Sequence, residues 1–148
     1  MKHMTLLVGS TLGAAEDLAE ELAEILQQNS YQTVIHTSPQ VDHILIKPDH
    51  TLLLICSTHG AGDLPQNIQP FSQQLRDLAP NLTGLNYLAI GLGDSAFDDF
   101  CQAIQTLDRQ LSNLGATRLQ DQLKIDVSLA DPPELIAKQW LDHWLLQH

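Results

Sequence analysis

The chain alternates between two hydrophobic periods along its 148 residues. Residues 4–9 (MTLLVG) are a short apolar run ending in glycine, the pattern of a buried strand. Behind it Leu18, Leu22, Ile25 and Leu26 recur at helical spacing, while Glu16, Asp17, Glu20, Glu21 and Glu24 take other positions. A helix with one apolar face is therefore predicted. Residues 31–37 (YQTVIHT) and 50–57 (HTLLLICS) read as second and third strands. The third is too continuously apolar to be solvated on one side. Pro65 is placed to open a helix with Phe71, Leu75 and Leu78 as its stripe. A fourth strand follows at 86–93 (NYLAIGLG). Phe100, Ile104, Leu107, Leu111 and Leu114 then recur three and four apart until Gly115 closes that helix. Residues 123–127 (LKIDV) give a fifth strand, and 132–147 a last helix with Ile136, Trp140 and Trp144 four apart. Residues 38–50 fit either a short helix or a loop.

Strands alternating with helices, and central strands apolar throughout, predict an α/β fold with a five-stranded parallel sheet and helices on both faces. No repeat, low-complexity stretch or linker interrupts the pattern. Residues 1–148 are thus expected to form one domain, with a core from about residue 4 to 146. The compact ending after WLLQH fits a complete protein.

Composition narrows the function classes. No apolar run approaches the roughly 20 residues that span a bilayer. The N-terminal stretch has no small-residue cleavage site, so no signal peptide is expected. Cys56 and Cys101 lie far apart in apolar surroundings, as buried free thiols in a reducing, cytoplasmic compartment do. The net charge of -11 speaks against nucleic acid and against anionic membranes. It suits a partner with a basic face, reached by electrostatic steering, although an acidic balance also serves solubility alone.

Three strands end in glycine-bearing polar loops: GSTLGAAE after the first, STHGAGDLPQN after the third and GLGDSAFDDFC after the fourth. In an open α/β sheet ligands bind at that carboxyl edge. The first loop runs into a helix, whose N-terminus offers unpaired N–H groups and about half a positive charge. Ser10 and Thr11 add hydroxyls, and Gly13 allows close backbone approach. A phosphate monoester can be held this way without a cation. The Lys of the G-x-x-x-x-G-K-[ST] pattern is missing, which excludes nucleotide hydrolysis of that type. GLGDSA also fits G-x-G-x-x-G/A, but it falls on the fourth strand, too late for a full dinucleotide fold. The seven histidines show neither H-x-x-x-H nor H-E-x-x-H spacing and the cysteines form no C-x-x-C, so no metal or iron–sulfur site is expected. No G-x-S-x-G nucleophile motif is present.

Together the three loops resemble the flavodoxin-like family of FMN-binding electron carriers, above all its small MioC group and the FMN domains of diflavin reductases. The resemblance covers nearly the whole chain and implies an electron-transfer protein rather than an enzyme. It assigns Ser10, Thr11, Leu12, Gly13, Ala14 and Ala15 to the FMN phosphate. Ser57, Thr58, His59 and Gly60 would form the inner wall of the isoalloxazine site. Leu92, Gly93, Asp94, Ser95, Ala96, Phe97, Asp98, Asp99, Phe100 and Cys101 would form the outer wall, with Phe97 where the family usually has the stacking Tyr. His59 is either the inner ring-flanking side chain or a loop histidine bonded to backbone. Phe97 is either the stacking ring or core, Phe100 being the better core candidate.

The chain departs from the family at Leu12 and Ala15, where flavodoxins carry hydroxyls. Two fewer phosphate donors imply FMN binding weaker than a typical flavodoxin's, at roughly 1.5–3 kcal/mol per lost bond to a charged group. The long insertion that splits the fifth strand of some flavodoxins is absent, so the short form is expected. Asp63, Asp94, Asp98 and Asp99 would disfavour an anionic reduced flavin by repulsion, or are merely solvated surface. The resemblance further implies a flavin or ferredoxin reductase upstream and a basic-faced, reductively activated enzyme downstream, biotin synthase being one candidate for the MioC group. A monomer or weak oligomer is expected. Three other readings stay open: a regulatory or scaffold protein that kept the fold without functional flavin, an FMN-dependent reductase with its own substrate, and a domain cut from a diflavin reductase.

Overall fold

The computed structural model describes residues 1–58, 62–97 and 99–148. The chain forms β1 (Lys2–Gly9), α1 (Ala14–Gln28), β2 (Tyr31–His36), a 3-10 turn (Val41–His43), β3 (His50–Ser57), α2 (Gln69–Leu78), β4 (Asn86–Gly93), α3 (Gln102–Asn113), β5 (Thr117–Arg118), β6 (Leu123–Asp126) and α4 (Pro133–Leu145). The strands run parallel in the order β2-β1-β3-β4-β5, with β6 also on β4. The expected architecture is therefore present.

The two-residue pleat explains why the central strands are apolar throughout. Leu6, Val8, Leu53, Ile55, Leu88 and Ile90 pack under α1 and α4. Their neighbours Leu7, Leu52, Leu54, Tyr87 and Ala89 pack under α2 and α3. All are buried, and each fully buried Leu or Ile contributes roughly 1.5–3 kcal/mol relative to exposure.

Three local expectations are corrected and one open choice is settled. The fifth position of the sheet is shared: Thr117 and Arg118 pair with Asn86 and Tyr87, and pairing resumes at Leu123 opposite Ile90. Residues 119–122 thus stand opposite only 88–89, a short bulge in place of a long insertion. Its polar residues are tied down elsewhere. Gln120 Nε2 donates to Trp140 O (3.2 Å), Trp140 Nε1 donates to Asp121 O (3.2 Å) and Gln122 Nε2 donates to Asp108 Oδ2 (2.7 Å). Pro65 does not open α2. It closes a turn through Ile68 N–H (3.1 Å), and Pro70 takes the first-turn position. The buried stripe is accordingly Ile68, Phe71 and Leu75, with Leu78 left 64% exposed. In α4 the buried face is Ala137, Leu141 and Trp144, while Ile136 and Trp140 flank it half-buried. Residues 38–50 hold only the 3-10 turn, whose Val41 N–H donates to Gln74 Oε1 (2.8 Å).

One buried polar cluster has no counterpart in the hydrophobic pattern. Asp108 accepts from Tyr87 Oη, from Arg118 Nη1 (2.6 Å) and from Gln122 Nε2, fixing α3 to the β4–β5 edge. Among the described residues no helix is long and apolar enough to cross a membrane, and no group of three or more His, Cys, Asp or Glu is arranged for a metal.

Candidate functional site

β1, β3 and β4 lie side by side and end at Gly9, Ser57 and Gly93. After β1 the chain crosses to β2 on one side and returns to β3 on the other, so the loops after β1 and β3 part at this edge. A cleft of about 650 Å³ opens there, within the range of about 300–1,000 Å³ usual for small-molecule sites. Thr11, Leu12 and Ala14 line it from the first loop, Ser57 and Thr58 from the end of β3, and Leu92, Gly93, Asp94, Phe97, Asp99, Phe100 and Cys101 from β4 and its loop. Val127, just beyond β6, completes it. Three loops separated in sequence thus share one cavity.

The first loop is built from backbone and hydroxyl groups. Gly13 is the N-cap of α1 at φ 91°, in the left-handed region, with open space where a Cβ would stand. Its requirement for glycine is therefore conformational. Gly13 N–H donates to Ser10 Oγ (2.9 Å), and Ser10 N–H donates to Asn67 Oδ1 (2.9 Å). Thr11 and Leu12 are exposed, Leu12 at 95%. Ala15 turns its methyl fully into the core, so only its N–H belongs to the loop. Helix geometry leaves the first-turn N–H groups of α1 without intrahelical partners, and they carry its positive dipole end. No Lys, Arg or His is among the described residues that line the cleft.

The opposite wall is held by carboxylates and close packing. Asp94 closes a turn, its C=O accepting from Phe97 N–H (3.1 Å) and its Oδ1 from Ala96 N–H (2.9 Å). Asp126 Oδ1 accepts from Ser95 N–H (3.2 Å), Ser128 N–H (3.0 Å) and Ser128 Oγ (2.6 Å). The Ser128 and Ser95 hydrogen bonds hold its carboxyl well below the usual carboxylate range. Thr58 Oγ1 accepts from Ala103 N–H (3.2 Å) and so caps α3 from the end of β3. At Gly93 an added Cβ would lie 2.8 Å from Cys101 N, a backbone contact that admits no side chain. Cys101 itself is the N-cap of α3, at φ 55°, with its side chain buried. Burial pushes its thiol up to about 11 and raises Cys56 further. Both cysteines are free and buried, as expected.

The structure separates the two phenylalanines. Phe100 is half-buried against the α2–α3 core, whereas Phe97 is 64% exposed at the cleft. Ser95 and Ala96 sit exposed at the tip of the turn and outside the lining. His59, Gly60 and Asp98 lie outside the described residues. Sequence reasoning missed Asn67, Asp126 and Val127. Asn67 was in view within GDLPQN, but nothing there says which strands its amide reaches.

The cleft fits an FMN in kind. Leu12, Phe97, Phe100 and Val127 bring apolar side chains to it, suited to a flat ring, and Thr11, Leu12 and Ala14 bring a hydroxyl and neutral N–H groups, suited to a phosphate.

A sequence model of the family described as flavodoxin matches residues 6–140. Protein MioC of Escherichia coli (strain K12) is 40% identical over 145 residues, covering 98% of this chain and 97% of that protein. The Protein MioC homolog of Pasteurella multocida (strain Pm70) is 37% identical over 142 residues, with 96% and 95% covered. Among solved structures, the C101A mutant of flavodoxin from Pseudomonas aeruginosa superimposes with a TM-score of 0.87 at 29% identity, covering 97% of each chain.

Proposed function

Since the chain belongs to the flavodoxin family and is MioC-like, we propose that it is a one-electron carrier that works through bound FMN. The observation that carries this reading is the shared cleft, where a cation-free loop of N–H and hydroxyl donors faces an apolar wall across one cavity. The flavin, when bound, supplies the redox chemistry. The chain's part is to grip the phosphate with Ser10, Thr11 and the first turn of α1, to wall the ring with Leu12, Ser57, Thr58 and Phe97, and to set the electrostatics around it. Asp94 and Asp99 line the same cleft. Like charges in a low dielectric repel, so these carboxylates raise the energy of a negative charge added to the ring and favour passing the electron on.

The wider assignment follows the same reading. Residues 1–148 act as one FMN module in the cytoplasm. A flavin or ferredoxin reductase supplies electrons, and a reductively activated enzyme with a basic face receives them. The net charge of -11 supports a basic acceptor face, and no described residue selects biotin synthase among such enzymes. Leu12 and Phe97 are exposed but line one concave cleft, which supports a bound ring over a scaffold's docking surface.

The test is titration of the flavin-stripped protein with FMN and with riboflavin, read by fluorescence quenching and visible absorbance. Saturable FMN binding with much weaker riboflavin binding is expected. Binding of neither ligand would return the scaffold reading.

A further inference from the structure

We propose that Asn67 is the positioning residue that presets the phosphate loop, and that its amide sets the preference for phosphorylated over unphosphorylated flavin; this rests on the FMN reading above. Asn67 lies in the loop between β3 and α2, and its side chain meets three other segments. Oδ1 accepts from Ser10 N–H (2.9 Å), just past β1. Nδ2 donates to Val8 O (2.7 Å), inside β1, and to Thr37 O (2.9 Å), just past β2. Both amide hydrogens are thereby used, and the oxygen takes the third bond. Asp has the shape but not the donors, Gln is a methylene too long, and Leu has neither function.

The clasp extends one step further. With Ser10 backbone fixed, its Oγ accepts from Gly13 N–H (2.9 Å), and its own proton has no acceptor among the described residues and can be donated to a ligand. A single amide thus orders both ends of the turn between β1 and α1. Ser10 N–H and Gly13 N–H are consumed within the protein. The donors left for an anion are the hydroxyls of Ser10 and Thr11 and the N–H groups of Thr11, Leu12, Ala14 and Ala15. Because no Lys or Arg is among the described lining residues, the attraction for a phosphate comes from neutral dipoles, which act strongly only when already aligned. Riboflavin has no phosphate to sense that alignment.

The experiment compares wild type with Asn67→Ala in two readouts: the ratio of FMN to riboflavin affinity, and amide hydrogen exchange at Ser10 and Gly13 in the flavin-free protein. FMN affinity is expected to fall about tenfold or more, the scale of a lost bond to a charged group, while riboflavin affinity changes less than about threefold. Ser10 and Gly13 amides should exchange at least about tenfold faster, with Leu53 and Ile90 protection unchanged. Equal losses for both ligands, or retained protection at Ser10 and Gly13, would overturn the proposal. Asn67→Leu, which keeps the shape and the neutral charge but loses all three bonds, is expected to reproduce the loss of selectivity. A wild-type ratio in that variant also overturns it, and it stands in should Asn67→Ala fail to fold. If wild type itself shows no preference for FMN, the functional reading fails, and hydrogen exchange still decides whether the clasp exists.

Discussion

The loops after β1 and after β4 face each other across one cleft but are held by opposite chemistries. The first, 10–13, is ordered by a neutral amide from Asn67 and turns hydroxyl and N–H groups outward. The second, 94–97, is ordered by the carboxylates of Asp94 and Asp126 and turns an aromatic ring outward. One half of the cleft is electropositive without a cation; the other is apolar and edged with negative charge. The two carboxylates that line the cleft, Asp94 and Asp99, belong to the second wall, while Glu16 and Asp17 follow the first loop in the first turn of α1 without being among the described lining residues.

The sharpest way to break this division is to place a carboxylate on the neutral side. Leu12 is 95% exposed, so Leu12→Asp should leave stability within about 0.5 kcal/mol. A like charge about 5 Å from a phosphate costs about 3 kcal/mol at an effective dielectric of about 20. FMN affinity is expected to drop about 1,000-fold and riboflavin affinity about tenfold, the lost Leu12 contact with the ring being common to both and the charge repulsion acting on FMN alone, read by equilibrium titration. A comparable drop for both ligands would mean that the first loop does not face the phosphate.

Removing the ring from the other wall should act differently. Phe97→Ala is expected to weaken FMN and riboflavin alike by about tenfold, since the aromatic contact and its buried area are worth about 1–2 kcal/mol and ignore the phosphate. An FMN-selective loss would assign Phe97 to the wrong end of the ligand.

The smallest effect concerns acid. The folded-state pKa of Asp126 is depressed by the Ser128 and Ser95 hydrogen bonds. Its contribution to stability is present above the ordinary aspartate value of about 4 and is lost as pH falls from there toward the depressed value. The Ser95 and Ser128 amides should therefore hold their protection from pH 8 to 5 and lose it only below about pH 4. Ser10 and Gly13, in a loop without a titratable side chain, should not follow. Asp126→Asn should remove the pH dependence at Ser95 and Ser128; its persistence there would place the titrating group elsewhere.

The division between the loops was only half legible beforehand. Apolar strands ending in glycine located the carboxyl edge because burial on both faces leaves no polar alternation. The spacing of Phe97 and Phe100 already favoured Phe100 as core. Asn67 was not legible as a clasp, since its partners lie 57, 59 and 30 residues away and only the order β2-β1-β3 brings them together. The bulge at 119–122 and the Asp108 cluster escaped for the same reason, since Asp108 on α3 meets Tyr87 on β4, Arg118 on β5 and Gln122, and Gln120 and Asp121 meet Trp140 on α4. Pro65 fits a helix opening in sequence, but its C=O closes a turn with Ile68 N–H and α2 begins only at Gln69.

The exposure of Leu12 and Phe97 also has a thermal consequence. Apolar surface in contact with water raises heat capacity, and a ring seated between these side chains would dehydrate both of them. Association would then become more exothermic as temperature rises, and its enthalpy measured at one temperature would not describe it at another.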